Sequence, residues 1–231
     1  MKETGGEAVK KVGDKMAFTE QQKEDIIKKY TDEMEVIKLR TNQVFSAINQ
    51  FEYLEPAVEF KALQLRKIIE QIMLASLITN AEEYKTQYNR LGKEWNARLI
   101  ARDLERLNPH FFPQPVNNGS DYTIENKPSV LSCEQIIDAY EKMGKYLHSQ
   151  NPFDNNARDY QAISDFIDEY TKKIIYTLNC HNVTLLGGDV FLNVVMKTKE
   201  NGHVAVAWFE KCNEEDQKHA DQIIKEQQRD S

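Results

Sequence analysis

The side chains best suited to chemistry stand where a helical pattern stops. The run Tyr140-Glu141-Lys142-Met143-Gly144-Lys145-Tyr146-Leu147-His148 ends in a histidine, with Asn151-Pro152-Phe153 just beyond. Imidazole titrates near neutrality, so a histidine at a helix end beside a polar connection suits general acid–base work. Lys142 and Lys145 precede it and offer positive charge to an anionic substrate. A second set is Arg98, Arg102 and Arg106, spaced by four, with Arg90 two such steps earlier. That row lines one side of a helix and is a candidate phosphate-binding face. Glu94 stands four residues from both Arg90 and Arg98, and Asp103 and Glu105 lie among them. Ordinary ion pairing on an exposed face is therefore the favoured reading of the row.

The late helix that closes on His148 resembles the HEPN superfamily of helical-bundle proteins. Members commonly carry an arginine four to six residues before such a histidine. In catalytic members the resemblance implies a metal-independent ribonuclease, usually dimeric, with arginine on the scissile phosphate and histidine handling the 2′-hydroxyl proton. Here no arginine holds that spacing. Lys142 does, and an ammonium lacks the planar fork that suits phosphate. The resemblance, with its half-present motif, implies a non-catalytic interaction or regulatory protein of the cytoplasm, in a defence or toxin–antitoxin setting. It would act through a protein partner or by self-association as a homodimer. A metal-independent ribonuclease using His148 is the alternative, with RNA as its ligand. A capping or packing role for His148 competes with both.

Two other clusters invite a structural reading. Arg66, Glu70 and Glu59 share a side of a largely apolar helix and suggest a register-fixing ion pair. Cys180-His181 with Cys212 and His219 has zinc-type residues but no ligand spacing, so no metal and no cofactor are expected. No P-loop, G-x-S-x-G elbow or H-E-x-x-H motif occurs.

The elements that must position these groups are mostly long helices. Ile27, Tyr30, Met34, Ile37, Thr41, Val44, Ile48 and Phe51 alternate steps of three and four, which predicts one helix over 20–51 with a single apolar stripe. Thr19 and Gln22 form its capping box. Further helices are predicted over 56–79, apolar on most faces in its second half, and over 81–107, with Tyr84, Tyr88, Leu91, Trp95, Leu99 and Ile100 inward. A proline-bearing loop fills 109–131, and its aromatics Phe111, Phe112 and Tyr122 suggest that it packs on the bundle. Ser132 and Gln135 then cap a helix reaching about 148, and a fifth helix spans 157–178. After it the period changes to two. Strands are predicted over 181–186, 189–198 and 203–210, with turns at Gly187-Gly188 and Asn201-Gly202.

The expected fold is thus α+β: a mainly antiparallel bundle of about five helices with a small C-terminal three-stranded antiparallel meander over about 181–210. Residues 1–17 read as a disordered leader, 18–212 as one domain and 213–231 as a polar tail. With 30 basic and 37 acidic side chains the net charge is −7. The chain as a whole therefore offers no attraction to nucleic acid or anionic membrane, although a local basic patch would. The longest apolar stretch, near 72–78, is too short to span a bilayer. Three cysteines read as reduced thiols, in keeping with a cytoplasmic protein.

Overall fold

The computed structural model describes residues 10–12, 15–88, 92–116, 129–151, 153, 157–185 and 187–211. It is α+β, as the periodicity predicts. A short antiparallel pair, β1 (Lys10–Val12) and β2 (Lys15–Ala17), comes first. It occupies part of the segment expected as a leader. The register pairs Val12 with Lys15. The helices are α1 (Glu20–Ser46), α2 (Leu54–Ile78), α3 (Ala81–Gln87), α4 (Ala97–Leu107), α5 (Cys133–Tyr146) and α6 (Tyr160–Leu178). Strands β3 (Gln114–Pro115), β4 (Cys180–Thr184), β5 (Val190–Val195) and β6 (Ala205–Glu210) form one antiparallel sheet in that order.

Both predicted capping boxes are made. Thr19 and Gln22 start α1, and Ser132 and Gln135 start α5, each pair exchanging side-chain and backbone hydrogen bonds. The α1 stripe is buried from Tyr30 through Met34, Ile37 and Thr41 to Val44. Its last two members depart from the prediction. The helix ends at Ser46, a 3₁₀ turn follows over Ala47–Asn49, and Ile48 and Phe51 are exposed.

Helix α2 is the hub of the bundle. Its buried residues point in nearly every direction and meet α1, α4, α5 and α6. Glu55 lies at Tyr160 and Lys61 at Asp168, so α2 and α6 run parallel. Arg66 faces Gly144 and Glu70 faces Tyr140, so α5 runs antiparallel to α2.

One predicted helix, 81–107, is two. Gly92 adopts φ +78°, a left-handed conformation that glycine takes without penalty. The side chain of Asn96 then accepts from the N–H groups of Arg98 and Leu99, capping a new helix. Trp95, expected inward, is 61% exposed. The sheet gains a fourth, edge strand from the 109–131 segment, because Gln114 and Pro115 pair with Asn182 and His181. Phe111 and Phe112 are buried on the bundle as expected, while Tyr122 lies outside the described residues. In the meander Val190, Leu192, Val194 and Met196 share the buried face. Gly187, Gly188 and Gly202 all take positive φ.

A buried polar joint ties the two layers together. The Asn108 amide donates to Asn80 Oδ1 at 2.9 Å and to the Thr184 carbonyl at 2.8 Å. Asn80 in turn donates to the Ser76 carbonyl at 2.8 Å. The end of α2, the end of α4 and strand β4 are thereby fixed to one another.

Candidate functional site

His148 lies just past the end of α5, exposed to solvent. Its carbonyl accepts from Arg158 Nη2 at 2.6 Å, and the Tyr146 carbonyl accepts from Arg158 Nη1 at 3.0 Å. The guanidinium thus satisfies two carbonyls that the helix end leaves unpaired. An arginine does stand beside His148, then, but it comes ten residues after it and its donors face the backbone.

The lysines around His148 separate. The Lys142 ammonium sits 3.6 Å from the centre of the Phe166 ring on α6, with the Tyr146 ring at 5.9 Å. It is spent on a cation–π contact between helices. Lys145 is exposed. The α4 row runs away from them. Arg98 pairs with Glu141 at 3.5 Å, and Arg102 pairs with the neighbouring Asp103 at 3.2 Å. Arg106 is exposed two turns further on, about 12 Å along the axis. There α4 meets the start of α5, where the charge of Glu105 acts on Cys133. The row therefore meets the helix that carries His148 through the Arg98–Glu141 pair. Arg90 lies outside the described residues.

The Arg66–Glu70 cluster joins α2 to α5. The guanidinium stacks 3.8 Å over the Tyr140 ring. It also donates to the Tyr140 hydroxyl at 2.6 Å and to the Tyr140 carbonyl at 3.3 Å. Glu70 accepts from Tyr140 at 3.3 Å and pairs with Lys67 at 2.7 Å. Burial holds the Tyr140 phenol above its ordinary pKa, and Arg66 works against that. Glu59 is exposed and takes no part.

His181 has the most perturbed imidazole. Fully buried, it receives the Tyr30 hydroxyl at Nε2 (2.9 Å) and sits with Nδ1 2.7 Å from the Leu178 carbonyl. Burial drives its pKa down to about 4, and the carbonyl contact opposes that. The carbonyl requires the proton on Nδ1, which leaves Nε2 to accept from Tyr30. The sequence reading weighed this residue only as a metal ligand. Among the described residues no three His, Cys, Asp or Glu side chains group to hold a metal, and Cys212 and His219 lie outside them.

Large apolar side chains are left exposed at the end of the bundle that carries His148. Phe45, Ile48, Phe51, Tyr53 and Leu54 surround the α1–α2 turn, and Phe153, in the α5–α6 connection, is 89% exposed. Phe51 contacts the Phe60 ring at 5.5 Å. Sequence periodicity assigned Ile48 and Phe51 to the core, so it missed this surface. Two open grooves of about 610 Å³ each lie elsewhere. One runs between α1, α2 and α3, and the other lies between α1, α6 and the β5–β6 connection. His148 lines neither. No helix among the described residues is long and apolar enough to cross a membrane. No known protein family, no curated protein and no solved structure matches this chain.

Proposed function

We propose that this chain is a non-catalytic binding module, HEPN-like in build, that works through the aromatic end of its bundle. One observation carries the reading: Phe45, Ile48, Phe51, Tyr53, Leu54 and Phe153 are all left exposed there. A patch of this kind, rimmed by polar groups, is a signature of an interaction surface. Lys145, His148 and Arg158 lie at the same end of the bundle. Covering the exposed part of six large apolar side chains gains roughly 5 kcal/mol before the cost of association. The partner is a second copy of the chain or another protein. A cytoplasmic setting in defence or toxin–antitoxin control belongs to the same proposal and rests on the resemblance.

The test is light scattering across a dilution series, together with partner capture, on wild type and a Phe51→Ser/Tyr53→Ser variant. Loss of self-association or of a captured partner in the variant, at unchanged melting temperature, supports the reading. Identical behaviour of the two proteins refutes it.

The ribonuclease reading draws on a different observation, the exposure of His148 beside Arg158. In it His148 moves the 2′-hydroxyl proton, and Lys142, Lys145 or one of Arg98, Arg102 and Arg106 holds the phosphate. Cleavage of total RNA in EDTA by wild type but not by His148→Ala, at matched folded fraction, would establish it. The binding-module reading expects no cleavage by either protein.

A further inference from the structure

The groove beside the first half of α1 has a composition unlike that of the aromatic end. Its α1 wall extends from Gln22 to Glu33, which at 1.5 Å per residue is about 17 Å, and Phe18 lines it just before the helix. Ile26, Leu74, Leu77 and Ile78 give it an apolar floor. Trp95, turned outward by the break between α3 and α4, stands on its edge.

The charges along the groove are mostly negative. Asp25, Glu33, Glu82, Glu83 and Glu94 line it, against Lys29 and Lys85. Lys29 is already bound to Asp25 at 2.6 Å. Glu94 is partly used as well, since one carboxylate oxygen accepts from the Trp95 and Asn96 N–H groups. Glu33 is half-buried. Burial and the neighbouring Asp32 push its carboxyl above the usual range, while Arg40 pulls the other way. A cation placed in the groove would relieve that cost.

We infer that this groove docks a basic amphipathic helix belonging to a protein partner. Three features select that occupant. The length of the wall matches about three turns of helix, more than a compact small molecule would cover. The floor takes apolar side chains at i, i+3, i+4 and i+7, the usual mode of helix-in-groove recognition. The excess of carboxylates favours lysine and arginine on the flanks and repels an acidic segment. The inference extends the binding-module reading to a second surface, remote from Phe51 and Tyr53.

The test uses designed peptides of about fifteen residues, long enough to fill the wall. One is an amidated leucine–lysine peptide with leucines on one helical face. The second has the same composition in scrambled order, and the third replaces lysine with glutamate. Calorimetry and tryptophan emission report binding. The amphipathic basic peptide is expected to bind one to one, and more weakly as salt rises. Glu33→Gln and Glu82→Gln should each weaken it about threefold to tenfold. Trp95→Ala should weaken it too, whereas Glu59→Gln on the exposed start of α2 should not. Equal binding of the scrambled peptide, indifference to the groove variants, or no binding would overturn the inference. So would 2-phenylethylammonium binding as tightly as the peptide, which would give the groove to a small amine. Phe51→Ser/Tyr53→Ser must leave peptide affinity unchanged, so each surface stands or falls on its own result.

Discussion

Acidification should destabilise this protein through His181. In the folded state the imidazole has a pKa of about 4, against an exposed value of 6.5. Its surroundings explain why. Nε2 is the acceptor for Tyr30, whose phenol burial holds in its protonated form. Adding a proton there would set two donors against each other and place a charge out of reach of water. Because the folded pKa is depressed, the unfolded chain binds the extra proton first. The stability from this group is complete above about pH 6.5 and is lost as pH falls toward about 4. At about 1.4 kcal/mol per pH unit the loss is about 3 kcal/mol, or roughly 6–12 °C in melting temperature for a chain of this size. Circular-dichroism melts of wild type and His181→Gln between pH 8 and 4 would measure it. Glutamine stays neutral throughout, and carboxylates common to both proteins cancel in the difference. The gap between the two curves should narrow by about 3 kcal/mol across the window, with wild type losing its advantage on acidification. Parallel curves would refute the assignment of a buried neutral imidazole.

Lys61 is 1% exposed and meets Ser164 and Asp168, each at 2.7 Å, whereas the Asp168 side chain is 32% exposed. Asp168→Asn strands a buried ammonium and should cost about 3 kcal/mol; Lys61→Met leaves a carboxylate that water can reach and should cost less. Urea titration of both variants would reveal the reverse order if the pair is not buried as described. A methyl group on Gly144 would lie 2.7 Å from Arg66 Nη1, so the guanidinium would have to shift from its contacts with Tyr140. Gly144→Ala should therefore destabilise wild type, yet stabilise an Arg66→Met background by up to about 1 kcal/mol through helix propensity, a sign change that thermal melts resolve. Burial, with Glu105 adding to it, pushes the Cys133 thiol up to about 12. In a Cys180→Ala/Cys212→Ser protein at pH 8, Cys133 should hold about a thousandfold less thiolate than a free cysteine, and thiol titration with and without denaturant measures its reactivity.

The architecture was legible wherever a long period repeated. The α1 stripe from Tyr30 to Val44 and both capping boxes follow from spacing alone, because burial acts on whole helical faces. Local geometry overrode periodicity where the pattern failed. Gly92 and the Asn96 cap divide a helix that apolar spacing would continue through Trp95. Ser46 ends α1 before its stripe ends in sequence. Strand β3 has only two residues, one of them proline, and it owes its pairing to the neighbouring β4 edge. The candidate site was legible as a set of residue types but not as an arrangement. Nothing in the spacing of Lys142 shows that Phe166, far along the chain, lies beneath its ammonium. His181 carried a sequence cue in its position at a helix–strand junction, but its partner Tyr30 is 151 positions away.

The two histidines show how burial separates a perturbed group from an available one. A strongly shifted pKa is often a pointer to function, and by that criterion His181 stands out. Yet both of its nitrogens are engaged, it lines neither groove, and its hydrogen bonds connect α1 to the start of the sheet. Its shift records the cost of a structural joint. His148 is reachable, and Lys145 beside it is exposed, but the other cations around it are committed elsewhere: Lys142 to Phe166, Arg98 to Glu141, and Arg158 to the carbonyls of Tyr146 and His148 itself. Recruiting Lys142 or Arg98 to a phosphate alongside Lys145 would mean breaking a contact that now holds two helices together. An apolar partner at Phe51 and Tyr53 asks for no such rearrangement, because those side chains already face solvent. That difference in what must be undone is the physical reason to place binding ahead of catalysis at this end of the bundle.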